Sequence, residues 1–214
     1  MNITGLSKET FENLQIEAGA AFKNLEITKQ MTPAQFKTLL EAARKDPEKV
    51  IGATDGGFNF VAAAETRQPA VDGLGAGVKG LNIVSSVNVQ LSFTSREITP
   101  ENWALSIGNA SIEDAGTGHK VIVPRFQYDD ESYIPDVTFV GMMGDGKTIV
   151  AVTLLNVLNT TGVNFQSTNS GEGGFTYELH AHLEDPWSDT PPYLVHYFEV
   201  AGGIDGFSHP SLED

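Results

Sequence analysis

The sequence of 214 residues contains no cysteine. Disulfide scaffolds, thiol catalysis and thiolate metal sites are therefore excluded. A chain of this length buries enough apolar surface to fold without such cross-links. Hydrophobic residues make up 40% of it, which is too many for a disordered acidic chain. The composition therefore predicts a folded domain that its own core holds together.

Basic residues are scarce, with 13 Lys and Arg against 28 Asp and Glu and a formal net charge of −15. Residues 1–49 are neutral and residues 50–112 have a net charge of −2, whereas residues 113–214 hold three basic residues against sixteen acidic ones. Proteins that bind nucleic acid through its phosphates, or that bind to anionic membranes, need clustered Lys and Arg. The charge therefore argues against both classes and favours a protein that repels polyanions.

Long hydrophobic runs and familiar catalytic motifs are absent as well. The longest apolar stretch, residues 148–158, contains Thr153 and Asn156 and is too short to span a bilayer. The N-terminus lacks the apolar segment of a secretory signal, so we expect assembly in the cytoplasm. The sequence has no Gly-x-Ser-x-Gly nucleophile motif and no evident acid–base pair of carboxylates. These absences favour a structural or binding role, without catalysis and without a cofactor.

Two amphipathic helices are predicted, at residues 33–45 and 100–107. Thr32 can cap the first helix, Pro33 suits its first position, and Gln35 completes a capping box. The second helix begins with the same Thr-Pro pair and ends at a glycine. Its inward side chains are expected to be Trp103, Ala104 and Ile107.

Most of the remaining chain is predicted to be strand. Residues 83–95 alternate between an apolar face and an uncharged polar face, and residues 149–158 are apolar on both faces, as in a strand that is covered on both sides. Further strands are expected at 58–64, 121–126, 137–142, 175–184 and 194–200. The pattern predicts a mainly β fold, an antiparallel β-sandwich or barrel-like sheet with the flanking helix 33–45 and a long projecting loop at 67–82. We expect a single domain over 1–214 that includes an N-terminal arm at 1–31.

The glycine-rich segment at 67–80 is the longest stretch without periodicity. Within it, Gly75-Ala-Gly-Val-Lys-Gly80 matches the spacing of a dinucleotide-binding loop. That loop works only where a helix follows and meets the pyrophosphate with its N-terminus, whereas here an alternating strand follows. We therefore interpret residues 67–82 as a long loop or projecting hairpin, which in a compact domain commonly has an interaction role.

Two clusters have the composition of metal ligands. His180 and His182 would project from one face of a strand, and His196 or Glu184 could supply a third ligand. A solvated polar face is the alternative, and without a located third ligand we predict no metal site. The acidic run Asp129-Asp130-Glu131 lacks the spacing and glycine of a calcium loop, and we interpret it as a solvated loop.

Residues 15–110 carry a more specific pattern. Its segments are Glu17-Ala-Gly-Ala-Ala-Phe22, Val50-Ile-Gly-Ala-Thr-Asp-Gly-Gly-Phe-Asn-Phe60, Arg67, Val71-Asp72-Gly73, Val78-Lys79-Gly80 and Ile98-Thr-Pro-Glu-Asn-Trp103. Together with the long alternating strand between the last two, this pattern resembles the major tail (tail tube) proteins of long-tailed phages and prophages. The type with non-contractile tails that infects Gram-positive hosts is the most similar.

The resemblance implies a structural virion protein. Six copies would close into a hexameric ring, and stacked rings would form a tail tube through which DNA passes at ejection without specific binding. The implied partners are further copies of the chain and other tail proteins, namely the tape measure, tail terminator and distal tail proteins, and the implied location is the virion tail. In such proteins a long loop contacts the neighbouring ring. Here that loop would contribute Arg67, Asp72, Gly73, Gly75, Gly77, Lys79 and Gly80.

A conduit for DNA must not hold DNA, so we expect its lining to be polar and neutral or acidic. Two strand faces satisfy this requirement and are candidates to face the lumen. One consists of Ser86, Asn88, Gln90 and Ser92, and the other of Glu178, His180 and His182.

Two other classes of protein remain open. A β-sandwich that binds carbohydrate or mediates adhesion would expose aromatic residues on a concave face, yet aromatic residues are only 9% and fall mostly at predicted core positions. A metal-dependent enzyme would be built around His180 and His182. Purified protein that forms rings or tubes in the electron microscope would favour the tail tube over both.

Overall fold

The computed structural model describes residues 19–52, 54–69, 79–167, 173–185 and 190–200. Within those ranges the helices are α1 (Pro33–Ala43) and α2 (Pro100–Ile107), with a 3₁₀ turn at Asp130–Ser132. The strands are β1 (Ala20–Lys23), β2 (Thr54–Arg67), β3 (Ile83–Ser95), β4 (Ala110–Gly116), β5 (His119–Pro124), β6 (Ile134–Met142), β7 (Thr148–Asn159), β8 (Phe165–Gln166), β9 (Gly174–His180) and β10 (Tyr193–Glu199). The mainly β composition is thus confirmed.

Eight strands form one sheet that is folded over on itself. Its order is β1-β6-β7-β9-β3-β2, with β10 also paired to β7 and β8 to β9, and all of these pairs are antiparallel. Strand β7 joins the two halves, because its residues up to Val157 pair with β6 and its last two pair with β9. Asn156, with φ of 48°, lies just before the switch, and a bend of this kind is how strands change sheets at a sandwich corner.

The two halves of the sheet and helix α1 make three layers with a core on each side of the middle layer. The first half-sheet (β1, β6, β7, β10) packs one face against the second (β2, β3, β8, β9), through side chains such as Phe139, Leu154 and Tyr177. Its other face packs against α1 through Phe36, Leu40 and their neighbours. Strand β7 is therefore covered on both sides, as its two apolar faces predicted. The predicted sandwich with a flanking helix is confirmed.

Helix α1 begins as predicted but ends two residues earlier than predicted. The Thr32 side chain accepts a hydrogen bond from the Gln35 N–H, and the Gln35 side chain accepts one from the Thr32 N–H, so the capping box is complete. At the other end the N–H groups of Lys45 and Asp46 bond to carbonyls three residues back. Residues 44–45 therefore belong to a tight turn ahead of Pro47 and not to the helix.

Helix α2 has the predicted bounds but buries a different face. Its buried residues are Asn102, Leu105 and Ser106, whereas Trp103, Ala104 and Ile107 are only partly buried. The Asn102 amide donates to the carbonyls of Ile51 (3.2 Å) and Glu97 (2.9 Å), and these bonds allow a polar side chain inside. Trp103 lies at the margin, against the rings of Phe165 and Phe175.

Strand predictions differ from the structure mainly where local pattern and pairing disagree. The strand predicted at 175–184 ends at His180, because the N–H of His182 bonds to the carbonyl of Leu155 on β7 instead of continuing the ladder with β3. Strand β4 and its hairpin with β5 were not predicted. Their signal is the two-residue turn Thr117-Gly118 between two short strands, with Gly118 at φ of 75°.

A buried carboxylate joins the first half-sheet to the chain that leads into α1. Asp136 is 4% exposed, and its two oxygens accept the backbone N–H groups of Leu25 (2.9 Å) and Glu26 (3.1 Å). Burial raises the pKa of this carboxyl, and the bonds from Glu26 and Leu25 act in the opposite direction. Its role is to pair two N–H groups that would otherwise be buried without acceptors.

We expect Asp136→Asn to lower the free energy of unfolding by about 1–3 kcal/mol, because the amide would turn an NH₂ group toward one of these N–H donors. Urea unfolding followed by circular dichroism measures the change. Asp114→Asn on exposed β4 is the matched control and should change stability by no more than about 0.5 kcal/mol. Equal stability of the two variants would contradict the assigned role of Asp136.

Candidate functional site

The second half-sheet carries one continuous polar face. In the register of β3 with β9, Gln90 lies opposite His180 and Ser92 lies opposite Glu178. Directly paired residues of neighbouring strands point to the same side of a sheet. The two candidate lumen faces, which the sequence offered as alternatives, are therefore parts of one surface. The polar face comprises Ser86, Asn88, Gln90, Ser92, Thr94, Thr176, Glu178 and His180 together with the paired β2 residues Asn59, Val61, Ala63 and Glu65.

Hydrogen bonds on the polar face link neighbouring strands, and its ionisable groups are few. The Ser86 hydroxyl donates to Glu65 Oε2 at 2.8 Å, and His180 Nε2 lies 3.4 Å from Glu178 Oε1. None of the residues that define the face is Lys or Arg. Besides the His180 imidazole and two small apolar side chains, the surface consists of amides, hydroxyls and two carboxylates, so it offers phosphate groups no Lys or Arg.

His182 has a different environment from His180. It follows the end of β9, where its Nδ1 lies 3.0 Å from the Asn156 carbonyl oxygen and its ring packs edge-on against Tyr133. The Asn156 amide in turn donates to the His182 carbonyl oxygen at 3.3 Å. These contacts hold the corner at which β7 changes sheets, so the two histidines have separate partners. Within the described ranges, no group of three or more His, Asp or Glu side chains is arranged as metal ligands.

The β2–β3 hairpin extends beyond the sandwich. Residues 61–67 of β2 and 83–88 of β3, here called the exposed ribbon, are exposed on both faces of the hairpin. Several of its side chains are apolar all the same, with Val84 56% and Val87 44% exposed and Ala64 paired to Val87. The apolar face that packs into the core at Leu91 and Phe93 thus continues into the ribbon without a cover. Two strands alone are marginally stable in water, so such a ribbon is suited to packing against another surface.

The predicted ring-stacking loop joins the two strands of the exposed ribbon. Arg67 ends β2 opposite Ile83, and Lys79 and Gly80 form a turn with Gly80 at φ of 92°. The Gln68 amide donates to Asn82 Oδ1 at 2.9 Å and ties the base of the loop together. The other predicted loop residues, Asp72, Gly73, Gly75 and Gly77, lie outside the described residues.

One strand of the first half-sheet is an open edge. Among the described residues, β10 pairs with β7 alone, and its Tyr197 and Val195 are 69% and 44% exposed. By contrast, the outer side of β1 is covered by residues 49–51, which exchange backbone hydrogen bonds with Lys23 and Ala21. An uncovered edge with apolar side chains is a template for pairing with another chain.

A cleft of about 440 Å³ lies between α2, the β4–β5 hairpin and the end of β1. Burial lowers the pKa of the Lys23 ammonium, and Glu101 and Glu48 act in the opposite direction. Lys120 Nζ lies 3.5 Å from Glu101 Oε1. The described residues that line the cleft thus place two ammonium groups among the carboxylates of Glu48, Glu101 and Asp114, which is the chemistry of a structural ion-pair cluster.

Sequence reasoning missed two kinds of residue at these surfaces. The exposed apolar positions of the ribbon lie on the same alternating faces as core residues, so periodicity alone assigned them to the core. Phe126 and Tyr128, which follow β5, are 95% and 57% exposed. Their signal was the acidic run Asp129-Asp130-Glu131 beside them, which favours a solvated loop over a strand that continues to 126.

No protein-family model matches the chain, and no curated protein matches it at a significant level. Among the described residues, no helix is both long and apolar enough to cross a membrane. The fold defines the class as a helix-flanked antiparallel β-sandwich, and the case for a function rests on the surfaces described above.

Proposed function

We propose that this protein is a structural subunit that self-assembles into rings, six copies to a ring, which stack into the tail tube of a long-tailed phage. The observation that carries the proposal is the exposed ribbon, in which apolar side chains continue past the edge of the sandwich with none of the described residues covering them. Copies of the same chain that pack against the ribbon would bury Val84 and Val87 and remove the exposed strand edges. The open edge of β10 offers a second surface for the same purpose.

The polar face supports the second part of the proposal, a lumen through which DNA passes. Its neutral and acidic side chains are contiguous over three strands, and the chain carries a net charge of −15. In a ring with this face inward, phosphates would meet hydroxyls, amides and carboxylates. DNA would then slide without being retained, because phosphate contacts supply most non-specific affinity. The role is non-enzymatic, needs no cofactor and belongs to the virion tail.

Negative-stain electron microscopy and sedimentation of the purified protein test the proposal together. We expect rings of uniform diameter at low micromolar concentration and stacked tubes at higher concentration. We also expect no retention of duplex DNA at physiological ionic strength. A chain that sediments as a monomer at every concentration, without rings or tubes, would overturn the proposal.

A second candidate function is a β-sandwich module that binds carbohydrate or another surface. The exposed aromatic side chains Phe126, Tyr128 and Tyr197 favour it, since such modules stack sugars on aromatic rings. These residues lie on two separate elements, the β5–β6 connection and strand β10. Saturable binding on a glycan array, lost in Phe126→Ser and Tyr197→Ser, would support the binding module over the tube.

A further inference from the structure

The connection between β5 and β6 presents an aromatic tip that is held in place by hydrogen bonds on both sides. Phe126 is 95% exposed, and Tyr128 lies beside it in the sequence at 57%. On one side, the Asn109 amide donates to the Gln127 carbonyl oxygen at 2.5 Å, and the Arg125 N–H donates to the Asn109 carbonyl oxygen at 2.9 Å. The tip, defined as Phe126 and Tyr128, is therefore presented to solvent by a preorganised loop.

The other side of the tip is acidic and equally well fixed. The Ser132 hydroxyl donates to Asp129 Oδ1 at 2.6 Å and accepts the Asp129 N–H at 3.0 Å. This reciprocal pair starts the 3₁₀ turn that contains Asp130 and Glu131. Three carboxylates thus follow directly on the aromatic tip. A partner for this loop must offer an apolar groove with cationic groups at its rim.

Helix α1 provides a groove of that kind on the side that faces away from the core. The α1 groove is formed by Met31, Ala34, Thr38, Leu39 and Ala42, with the polar residues Thr28, Gln30 and Gln35 beside them. Ala34, Thr38 and Ala42 are exposed, and they follow one another at a spacing of four residues, so they form one row on the helix surface. The Thr38 hydroxyl donates back to the Ala34 carbonyl oxygen at 3.1 Å, so its hydrogen-bond donor is already used within the helix. Small side chains between Met31 and Leu39 leave room for an aromatic ring.

The charges around the groove are complementary to those around the tip. Residues 23–49 hold six Lys and Arg against four acidic residues, a net charge of +2, and Lys29 and Lys45 adjoin the two ends of the groove in sequence. The second half of the chain, which contains the tip, is strongly acidic. The same molecule therefore carries an apolar groove within a segment of small positive charge and an acidic aromatic tip on a different element.

We infer that the aromatic tip of one copy docks in the α1 groove of a second copy. The inference rests on the proposed self-assembly and names one of its contacts. Within one chain the tip is exposed and the groove is open, so the two surfaces do not cover each other. The contact must therefore join two copies. Because it joins two different patches, it is a heterologous contact, which propagates from copy to copy until a ring closes.

The absence of cysteine allows a direct test by cross-linking. Gln127→Cys and Thr38→Cys are made as separate proteins, mixed in equal amounts and treated with a short bismaleimide, so that any cross-link between the two positions joins two copies. Both changes leave Phe126 and Tyr128 intact. We expect a cross-linked dimer in this mixture. Gln127→Cys mixed with Val163→Cys, which lies in an exposed loop outside both surfaces, is the control and should give none.

Phe126→Ser provides the second measurement. Because the side chain is 95% exposed, the fold should be unaffected, whereas self-association measured by sedimentation should weaken by about tenfold or more. Ile98→Ser, at 53% exposed, is the matched control and should associate as the parent protein does.

Rings or tubes that form without the specific cross-link would overturn the docking contact and leave the proposed function standing. A specific cross-link without rings or tubes would support the docking contact and overturn the proposed function. A strictly monomeric protein without cross-links would overturn both.

Discussion

Replacing Val87 by aspartate is expected to abolish ring formation and leave a folded monomer. Val87 lies on the ribbon side that continues the core face, opposite Ala64, and is 44% exposed. In the monomer, a carboxylate at this position stays in water, so the loss of stability should be no more than about 1 kcal/mol, the range of strand propensities. In a subunit interface the same carboxylate would be buried without a partner, which typically costs about 3–5 kcal/mol.

The expected result is therefore a shift of self-association to concentrations at least about a hundredfold higher, measured by sedimentation and electron microscopy. Thermal unfolding of the monomer should change little. Ile98→Asp, at 53% exposed and outside the ribbon, is the matched control and should assemble normally. Rings of Val87→Asp at the concentration at which the parent protein forms them would rule the ribbon out as an interface.

The largest expected loss of stability is at Phe36, where helix α1 is attached to the sheet. Its side chain is fully buried and stacks on Phe198 of β10, with ring centroids 4.1 Å apart and an angle of 9° between the planes. We expect Phe36→Ala to lower the free energy of unfolding by about 3–5 kcal/mol, because it deletes a buried ring and leaves a cavity that the rigid strand cannot fill. Chemical denaturation followed by tryptophan fluorescence measures the change.

The conservative change Phe36→Leu is the control for packing and should cost less than the alanine variant. Removal of the helix contact also loosens β10, the open edge of the first half-sheet. We therefore expect Phe36→Ala to impair self-association as well as stability. A loss of less than about 1 kcal/mol would show that α1 is held mainly by other contacts, such as those of Leu40.

Features that depend on neighbouring residues in the chain were predictable. The capping box of α1 involves Thr32 and Gln35, three residues apart, and both of its hydrogen bonds are present. The strand Ile83–Ser95 has the predicted bounds because alternation over thirteen residues specifies a half-buried strand by itself. The two glycines that follow Met143 are typical of a hairpin turn, and this turn closes the β6–β7 hairpin. The two-sided burial of β7 followed from its apolar composition on both faces.

The candidate surfaces were predictable only in part. The polar residues of β3 and β9 were identified, but their union into one face depends on a register that pairs residues about 90 apart, such as Gln90 and His180. The exposed ribbon has the same alternation as the core segment of the same strands, so sequence alone could not divide buried from exposed positions. What divides them is the extent of the facing half-sheet, which stops before Val87.

The amino-acid sequence was sufficient to predict the mainly β class, the two capped helices, the absence of thiol chemistry and the acidity that disfavours binding to DNA. Each of these follows from composition or from contacts within a few residues. Packing of the whole chain was needed to establish where the sheet folds over, which carboxylate is buried and which side chain pairs with the last carbonyls of α2. Asn159 illustrates the reason, since its amide donates to the carbonyls of Leu105 (3.2 Å) and Ser106 (2.8 Å), more than fifty residues away. Buried polar groups must find partners wherever the packed chain brings them, and that requirement has no signature in local sequence.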